Sequence, residues 1–266
     1  MIDAQMYDAF SKDYDRFVNW KARLSAEIPF LKSELGKLDH DPGTELSILD
    51  AACGTGQHAI ALVKAGYNCT GADFSEAMIS RARENANHAG LKMTFLQAGF
   101  GQLSKKFGED HFDGLICLGN SLPHLLDAHS LADALADFCT VLKPGGKIIL
   151  QNRNFDLVLA EKVRWMPPQT FREGEETMLY ARFYDFDEDG RLTFNIQIFS
   201  AEGSGSFDQR VISTRLWPMT CDLLAIALET AGFTSLTRFG DLEGSGYDPQ
   251  ASENLVITAK ARSFVQ

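Results

Sequence analysis

Leu49-Asp50-Ala51-Ala52-Cys53-Gly54-Thr55-Gly56 runs from an apolar stretch into two glycines separated by one residue. A turn of that kind lets main chain come close to a ligand that a Cβ would push away. Seventeen residues beyond Gly56 stands Asp73, in the segment GADFSEAM. An acid at a strand end, roughly 20 residues after a glycine turn, suits a bidentate hold on ribose hydroxyls. A dinucleotide would ask for GxGxxG, whose third glycine lets helix and strand pack closely around a pyrophosphate. This chain has CGTGQHA, one glycine short and without a basic side chain for phosphate. A nucleoside ligand without phosphates fits better. Asp73 alone would as readily cap a helix; joined to the glycine turn it marks a ligand. Asp50 is expected to brace the glycine loop and the following helix start through backbone N–H groups.

A second group lies further along. Arg153 ends the apolar run KIILQNR, which places it at the carboxyl edge where open α/β sheets bind ligands. Its planar fork pairs bidentately with a carboxylate. It reads either as the clamp on an acceptor's carboxylate or as the partner of an internal acid such as Asp156. Asn120 follows the run ICLG and can accept from an amine while its NH₂ donates elsewhere. His124 either orients an acceptor or water, or serves only the helix start beside it. The chain has no Gly-x-Ser-x-Gly elbow, Cys-x-x-Cys pair or His-Glu-x-x-His cluster. Neither a nucleophilic triad nor a metal site is predicted.

These residues need a frame, and the hydrophobic pattern supplies one. Apolar residues from Phe10 to Leu31 recur at helical spacing, predicting one or two helices over Tyr7 to Leu35. Strand-like runs (SILDAAC, YNCTGADF, KMTFLQAG, FDGLICLG, KIILQNR) then alternate with helical ones at Gly56–Ala65, Glu76–Ala89 and Ser130–Leu142. That alternation means crossovers and a parallel sheet. After Arg153 it breaks: two β-rich runs flank Glu188-Asp189-Gly190, a hairpin signal, and a third follows. A helix from Cys221 to Ala231 and the strands SLTRF and NLVITAKA close the chain. The expected fold is α/β, a Rossmann-like seven-stranded, mostly parallel sheet with an antiparallel β insertion over the active-site mouth. Residues 1–159 and 218–266 form the core domain with an N-terminal helical lid, and 160–217 form the insertion, its sheet spanning 177–217.

Composition limits the partners. The net charge is −11 and the pI near 5.0, with no Lys/Arg run, which argues against nucleic acid or anionic membrane. The start has acids and no apolar run, no stretch is long enough to span a bilayer, and the five cysteines are widely spaced. The expectation is a cytoplasmic protein with reduced cysteines acting on a small molecule; the oligomeric state stays open.

The glycine turn, Asp73-Phe74-Ser75-Glu76-Ala77-Met78, and Leu142-Lys143-Pro144-Gly145-Gly146 resemble the class I S-adenosylmethionine-dependent methyltransferases over residues 45–155. The resemblance implies S-adenosyl-L-methionine as cofactor, held by Asp50, Ala52, Gly54, Gly56 and Asp73, with Phe74, Met78, Gly99, Phe100 and Leu118 beside them. Two positions depart from the pattern: Ala52 stands where many members have glycine, and Gly99 where many place an acid for the adenine amine. Backbone of Phe100, with its ring beside the base, can substitute, unless that ring is core.

Ile116 to Leu125 and Asn152-Arg153-Asn154-Phe155-Asp156 are further similar to the glycine N-methyltransferase family with its sarcosine and dimethylglycine relatives. There the matching Asn120 and Arg153 contact an amino acid. Tyr7, Tyr14, Trp20 and Arg23 fall on a segment that in the family folds over the cofactor, with Arg23 matching an arginine that holds the methionyl carboxylate. Trp217, before Pro218, falls where the family has an acceptor-site tyrosine; it either walls the methyl channel or is core. The function implied is methylation of a small soluble amine or amino acid. Two alternatives remain: an O- or C-methyltransferase of another metabolite, in which Arg153 is not carboxylate-bound, or a binding protein without turnover. Asn120-Ser121-Leu122-Pro123 lacks the Pro-Pro-aromatic motif of DNA amino-methyltransferases.

Overall fold

Ile48 and Leu49 are both fully buried, yet as neighbours on a strand they face opposite sides of it. Both sides must therefore be covered. The computed structural model, which describes residues 13–40, 43–203 and 207–262, shows how. The core runs α1 (Trp20–Leu35), β1 (Ser47–Ala51), α2 (Gln57–Lys64), β2 (Asn68–Asp73), α3 (Glu76–His88), β3 (Phe95–Gln97), α4 (Leu103–Phe107), β4 (Phe112–Cys117), α5 (Ala128–Val141) and β5 (Leu142–Arg153). After α6 (Phe155–Ala160) come β6 (Trp165–Glu173), β7 (Glu176–Phe186), β8 (Leu192–Glu202) and β9 (Asp208–Leu216); α7 (Cys221–Thr230), β10 (Phe233–Phe239) and β11 (Asn254–Ala261) complete the core.

One sheet has the order β10-β11-β5-β4-β1-β2-β3. Its pairings from β5 to β3 are parallel, and β11 runs antiparallel between β5 and β10. Leu49, Leu115, Ile148 and Leu255 pack with α5 and α7 on one face; Ile48, Ile116, Ile149 and Val256 pack with α1, α2 and α3 on the other. This is the seven-stranded, mostly parallel α/β sheet expected from the sequence. Caps set where its helices begin: Ser75 accepts the N–H of Met78 at 3.1 Å, and Asp127 that of Ser130 at 2.8 Å. The Asp127 cap starts α5 two residues before the predicted Ser130.

The second sheet is antiparallel, in the order β6-β7-β8-β9. Its first strand was not expected, because Pro167-Pro168 breaks the pattern. The prolines are accommodated at the sheet edge, where the register shifts between Met166 and Gln169 and no inward N–H is needed. The short helices α4 and α6 were also missed.

At the N-terminus the helical pattern divides in two, residues 13–17 and then α1; Tyr7 lies outside the described residues. Asp15 accepts from Thr55 Oγ1 at 2.6 Å and Asn85 Nδ2 at 3.0 Å. Tyr14 and Phe17 pack on the second sheet's cluster of Met178, Tyr180, Ile196 and Ile198. This short segment thus joins the glycine turn to the insertion.

Packing between β1, β2 and β3 leaves no space at Gly71. A Cβ there would meet the Phe95 ring at 2.5 Å and Cys53 Sγ at 2.9 Å. Gly71→Ala is expected to lower the urea midpoint by the equivalent of about 1–3 kcal/mol with an unchanged slope. An unshifted midpoint would show that this contact relaxes freely.

Candidate active site

The carboxyl ends of β1, β2, β4 and β5 open into a cavity of about 360 Å³. Asp50, Ala52, Gly54, Asp73, Phe74, Met78, Gly99, Phe100, Leu118, Asn120, His124 and Arg153 all line it, as do Tyr14 and Arg23. Two of the predicted site residues, Gly56 and Trp217, do not.

Asp73 does structural work in both turns beside it. Its Oδ2 accepts the N–H of Gly54 and its Oδ1 that of Ser75, both at 2.9 Å. The carboxylate so fixed lines the cavity at the end of β2. Asp50, at 2% exposure, is buried more deeply, and its Oδ2 has no hydrogen-bond partner among the described residues. Burial, then the charge of Asp73, pushes its pKa up to about 7, against the opposing bond from the Ala59 N–H. That bond to the start of α2 is the bracing expected of it.

Ala52 adopts φ +65°, a left-handed conformation that costs a residue with a Cβ roughly 1–2 kcal/mol. A glycine would occupy it without strain, which accounts physically for the departure noted at this position. Gly56 is a correction. A Cβ on it would lie 2.9 Å from Ala82 Cβ and from the Phe95 ring, so its bare Cα lets α3 and β3 pack against the turn, and it does not line the cavity.

Arg23 donates from Nε to Glu27 at 2.9 Å and stacks over Trp20 with its guanidinium 5.3 Å from the ring centroid. The second oxygen of Glu27 meets His58 Nε2 at 2.6 Å. Burial lowers the pKa of His58. Across the cavity Gly99 gives its N–H to Gln102 Oε1 at 3.2 Å. Phe100 serves both readings given to it: its ring lines the cavity and also packs edge-on against Phe138.

Asn120 sits at φ +67°, where its Oδ1 accepts the backbone N–H of Arg153 at 2.9 Å. The oxygen expected to face an amine therefore already ties the end of β4 to the end of β5. Arg153 is not paired with Asp156, whose Oδ2 accepts from the Cys221 N–H and the Tyr247 hydroxyl. Among the described residues its ion pair reaches the exposed Glu253 at 3.5 Å, and its buried Nε has no hydrogen-bond partner. His124 is buried and its pKa is lowered by burial to about 4, so the ring is neutral at pH 7.

Trp217 is the second correction. Its N–H donates to the Pro123 carbonyl at 2.7 Å, its side chain packs against the core, and the Arg191 guanidinium lies 5.0 Å from its ring centroid. It is core, the alternative weighed for it. The cavity's remaining wall comes from Met166, Arg182, Tyr184, Phe194 and Ile196 of the second sheet. The signal for two of them was present in the sequence: Tyr180, Arg182 and Tyr184 alternate along β7 and share one face.

Residues 48–146 match the methyltransferase domain family. Over 236 residues the chain is 30% identical to the glycine/sarcosine N-methyltransferase of Aphanothece halophytica, covering 89% of this chain and 82% of that one. It is also 30% identical over 244 residues to the enzyme of the same name from Parasynechococcus marenigrum, covering 90% and 79%. The fold is shared with an S-adenosylmethionine-dependent methyltransferase from Clostridium acetobutylicum, at a TM-score of 0.74 and 20% identity over 97% of this chain and 99% of that one. A strand-end carboxylate pinned between two turns, an orphaned acid behind it and this kinship agree: the chain belongs to the class I S-adenosylmethionine-dependent methyltransferases, within the family that includes the glycine/sarcosine N-methyltransferases.

Proposed function

We propose that the protein methylates the nitrogen of a small amine that carries a carboxylate, an acceptor of the amino-acid type. The observation that carries this reading is Arg153. A guanidinium at the end of β5, lining the cavity that also contains Asp73, with a buried Nε and only a 3.5 Å contact to an exposed acid, lacks the anion its fork is shaped for. The two 30% identical relatives are named for acceptors of that kind.

The residues present fit the cofactor. Asp73 takes the ribose hydroxyls, and Gly54 keeps the turn low beneath it. Asp50, whose Oδ2 has no hydrogen-bond partner among the described residues, would take the methionyl ammonium, and Arg23, held by Glu27 and Trp20, would receive the methionyl carboxylate. Phe74, Met78, Phe100 and Leu118 enclose the base, with Tyr14 closing the segment above. When bound, S-adenosylmethionine would supply an electrophilic methyl group for the acceptor nitrogen. Alignment and exclusion of water are what the protein must contribute. Arg153 aligns the acceptor, Asn120 fixes the backbone of Arg153, and the neutral His124 shapes the wall between them. Residues 160–217 act as the lid, because Met166, Tyr184, Phe194 and Ile196 close the acceptor side.

Three measurements test these assignments. Asp73→Ala removes two charge-assisted bonds worth roughly 1.5–3 kcal/mol each, so calorimetry should show S-adenosylhomocysteine binding weakened by about a hundredfold or more. Unchanged affinity would remove Asp73 from the ribose.

Asp50 has a raised pKa of about 7 in the free protein, so the folded state holds a proton that the unfolded chain has lost. This costs stability as pH rises from the ordinary carboxylate range to about 7. An ammonium docked on Asp50 reverses the preference and expels that proton. Cofactor affinity should therefore rise between pH 6 and 8, with proton release on binding at pH 6 that Asp50→Asn abolishes. Release that persists in the variant assigns the proton elsewhere.

Arg153→Lys keeps the charge and loses the fork. Acceptor KM should rise sharply while S-adenosylmethionine affinity barely changes, a loss in kcat/KM of roughly 2–4 kcal/mol. Kinetics untouched by the change would defeat the amino-acid reading.

A further inference from the structure

Charge in the cavity is segregated. Among the described residues its lining carboxylates are Glu27, Asp50 and Asp73, and all three belong to the half assigned to the cofactor. The acceptor half has two guanidiniums, Arg153 from β5 and Arg182 from β7, and no lining carboxylate among the described residues. Each has a buried Nε without a hydrogen-bond partner among the described residues. Arg182 makes one weak donation, from Nη2 to the Pro167 carbonyl at 3.3 Å, and lies 5.0 Å from the Phe17 ring centroid. Tyr184, two residues along the same face of β7, also lines the site. Its phenol is held protonated, its pKa pushed up to about 12 by burial against the opposing charges of Arg153 and Arg182. It is therefore a donor.

Two like charges sharing a partly closed site repel each other, and desolvation adds to the cost. Burial and then the neighbouring Arg153 charge lower the pKa of Arg182. One carboxylate satisfies one fork; the second guanidinium, with a phenol beside it, has the exposed Glu253 as its acidic neighbour among the described residues and no buried anion. Building on the reading of Arg153 as acceptor clamp, we propose that Arg182 is a second anion-binding residue of the acceptor site, and that the acceptor is an amine bearing two acidic groups. The insertion then sets specificity as well as closing the cavity, since it supplies both Arg182 and Tyr184.

The test uses simple carboxylates as probes, so that it needs no turnover. With S-adenosylhomocysteine saturating, calorimetric titration should find malonate, succinate or glutarate binding at least about tenfold tighter than acetate. Arg182→Met should erase that advantage and leave acetate within about twofold of its original Kd, whereas Arg153→Met should weaken both kinds of probe. Arg182→Gln serves as the same test if the methionine variant does not fold. Dicarboxylates no tighter than acetate, or an advantage that survives loss of Arg182, would overturn the proposal.

Methyl transfer to glycine, aspartate and glutamate then separates this proposal from the reading beneath it. Preference for the two-acid amines is the expected result, and glycine used in preference to both would overturn the second anion site. If none of the three is methylated while the dicarboxylate advantage stands, the amine reading falls and the paired-arginine site remains.

Discussion

The carboxylate of Asp73 holds two loops at once. One oxygen takes the N–H of Gly54, in the turn after β1; the other takes that of Ser75, at the cap of α3 after β2. Parallel strands leave such turns side by side at one edge of the sheet, each with backbone donors that need partners. A single buried acid meets both needs and, by doing so, is fixed facing the cavity. The rest of the site is arranged around that point: Asp50 one strand over, Arg23 above it, and Asn120 with Arg153 on the far side of the β1–β4–β5 row.

The same logic, in which a cavity-lining side chain serves as a brace, recurs at Asn120 and Gln151. Asn120 Oδ1 receives the Arg153 N–H, Gln151 Oε1 receives the Gly119 N–H at 2.7 Å, and Gln151 Nε2 donates to Asn254 Oδ1 at 3.2 Å. These bonds lash the ends of β4, β5 and β11 together. Pre-organisation of the acceptor side rests on rigid strand ends, while its remaining wall comes from a separate sheet that packs on the core through α6 and the N-terminal segment.

What could be read from the sequence follows from how local its physics is. The glycine turn and the Ser75 cap are set within a few residues by turn and cap chemistry, Asp73 stands at the recognisable end of an apolar run, and the parallel strands show in those continuous runs. Gly56 was misassigned because its constraint comes from Ala82 and Phe95, which are distant in sequence. Trp217 was misassigned because Arg191, from the start of β8, takes its ring. Strand β6 was hidden by two prolines that only an edge position tolerates. Arg182 escaped notice because the hairpin turn after β7 marks a strand pair and says nothing of which face of it meets the cavity.

The N-terminal segment carries a consequence for kinetics. Residues 13–17 are latched to the second sheet by ion pairs of Asp13 with Arg210 and of Arg16 with Glu176, and to the glycine-turn side through Asp15. The groups of the Arg16–Glu176 pair are each more than a third exposed, so dissolved ions reach it and screen it. Tyr14 and Phe17, carried on that segment, line the cavity. Raised ionic strength is therefore expected to loosen this segment's hold on the second sheet and to speed exchange through the cavity that Tyr14 and Phe17 line.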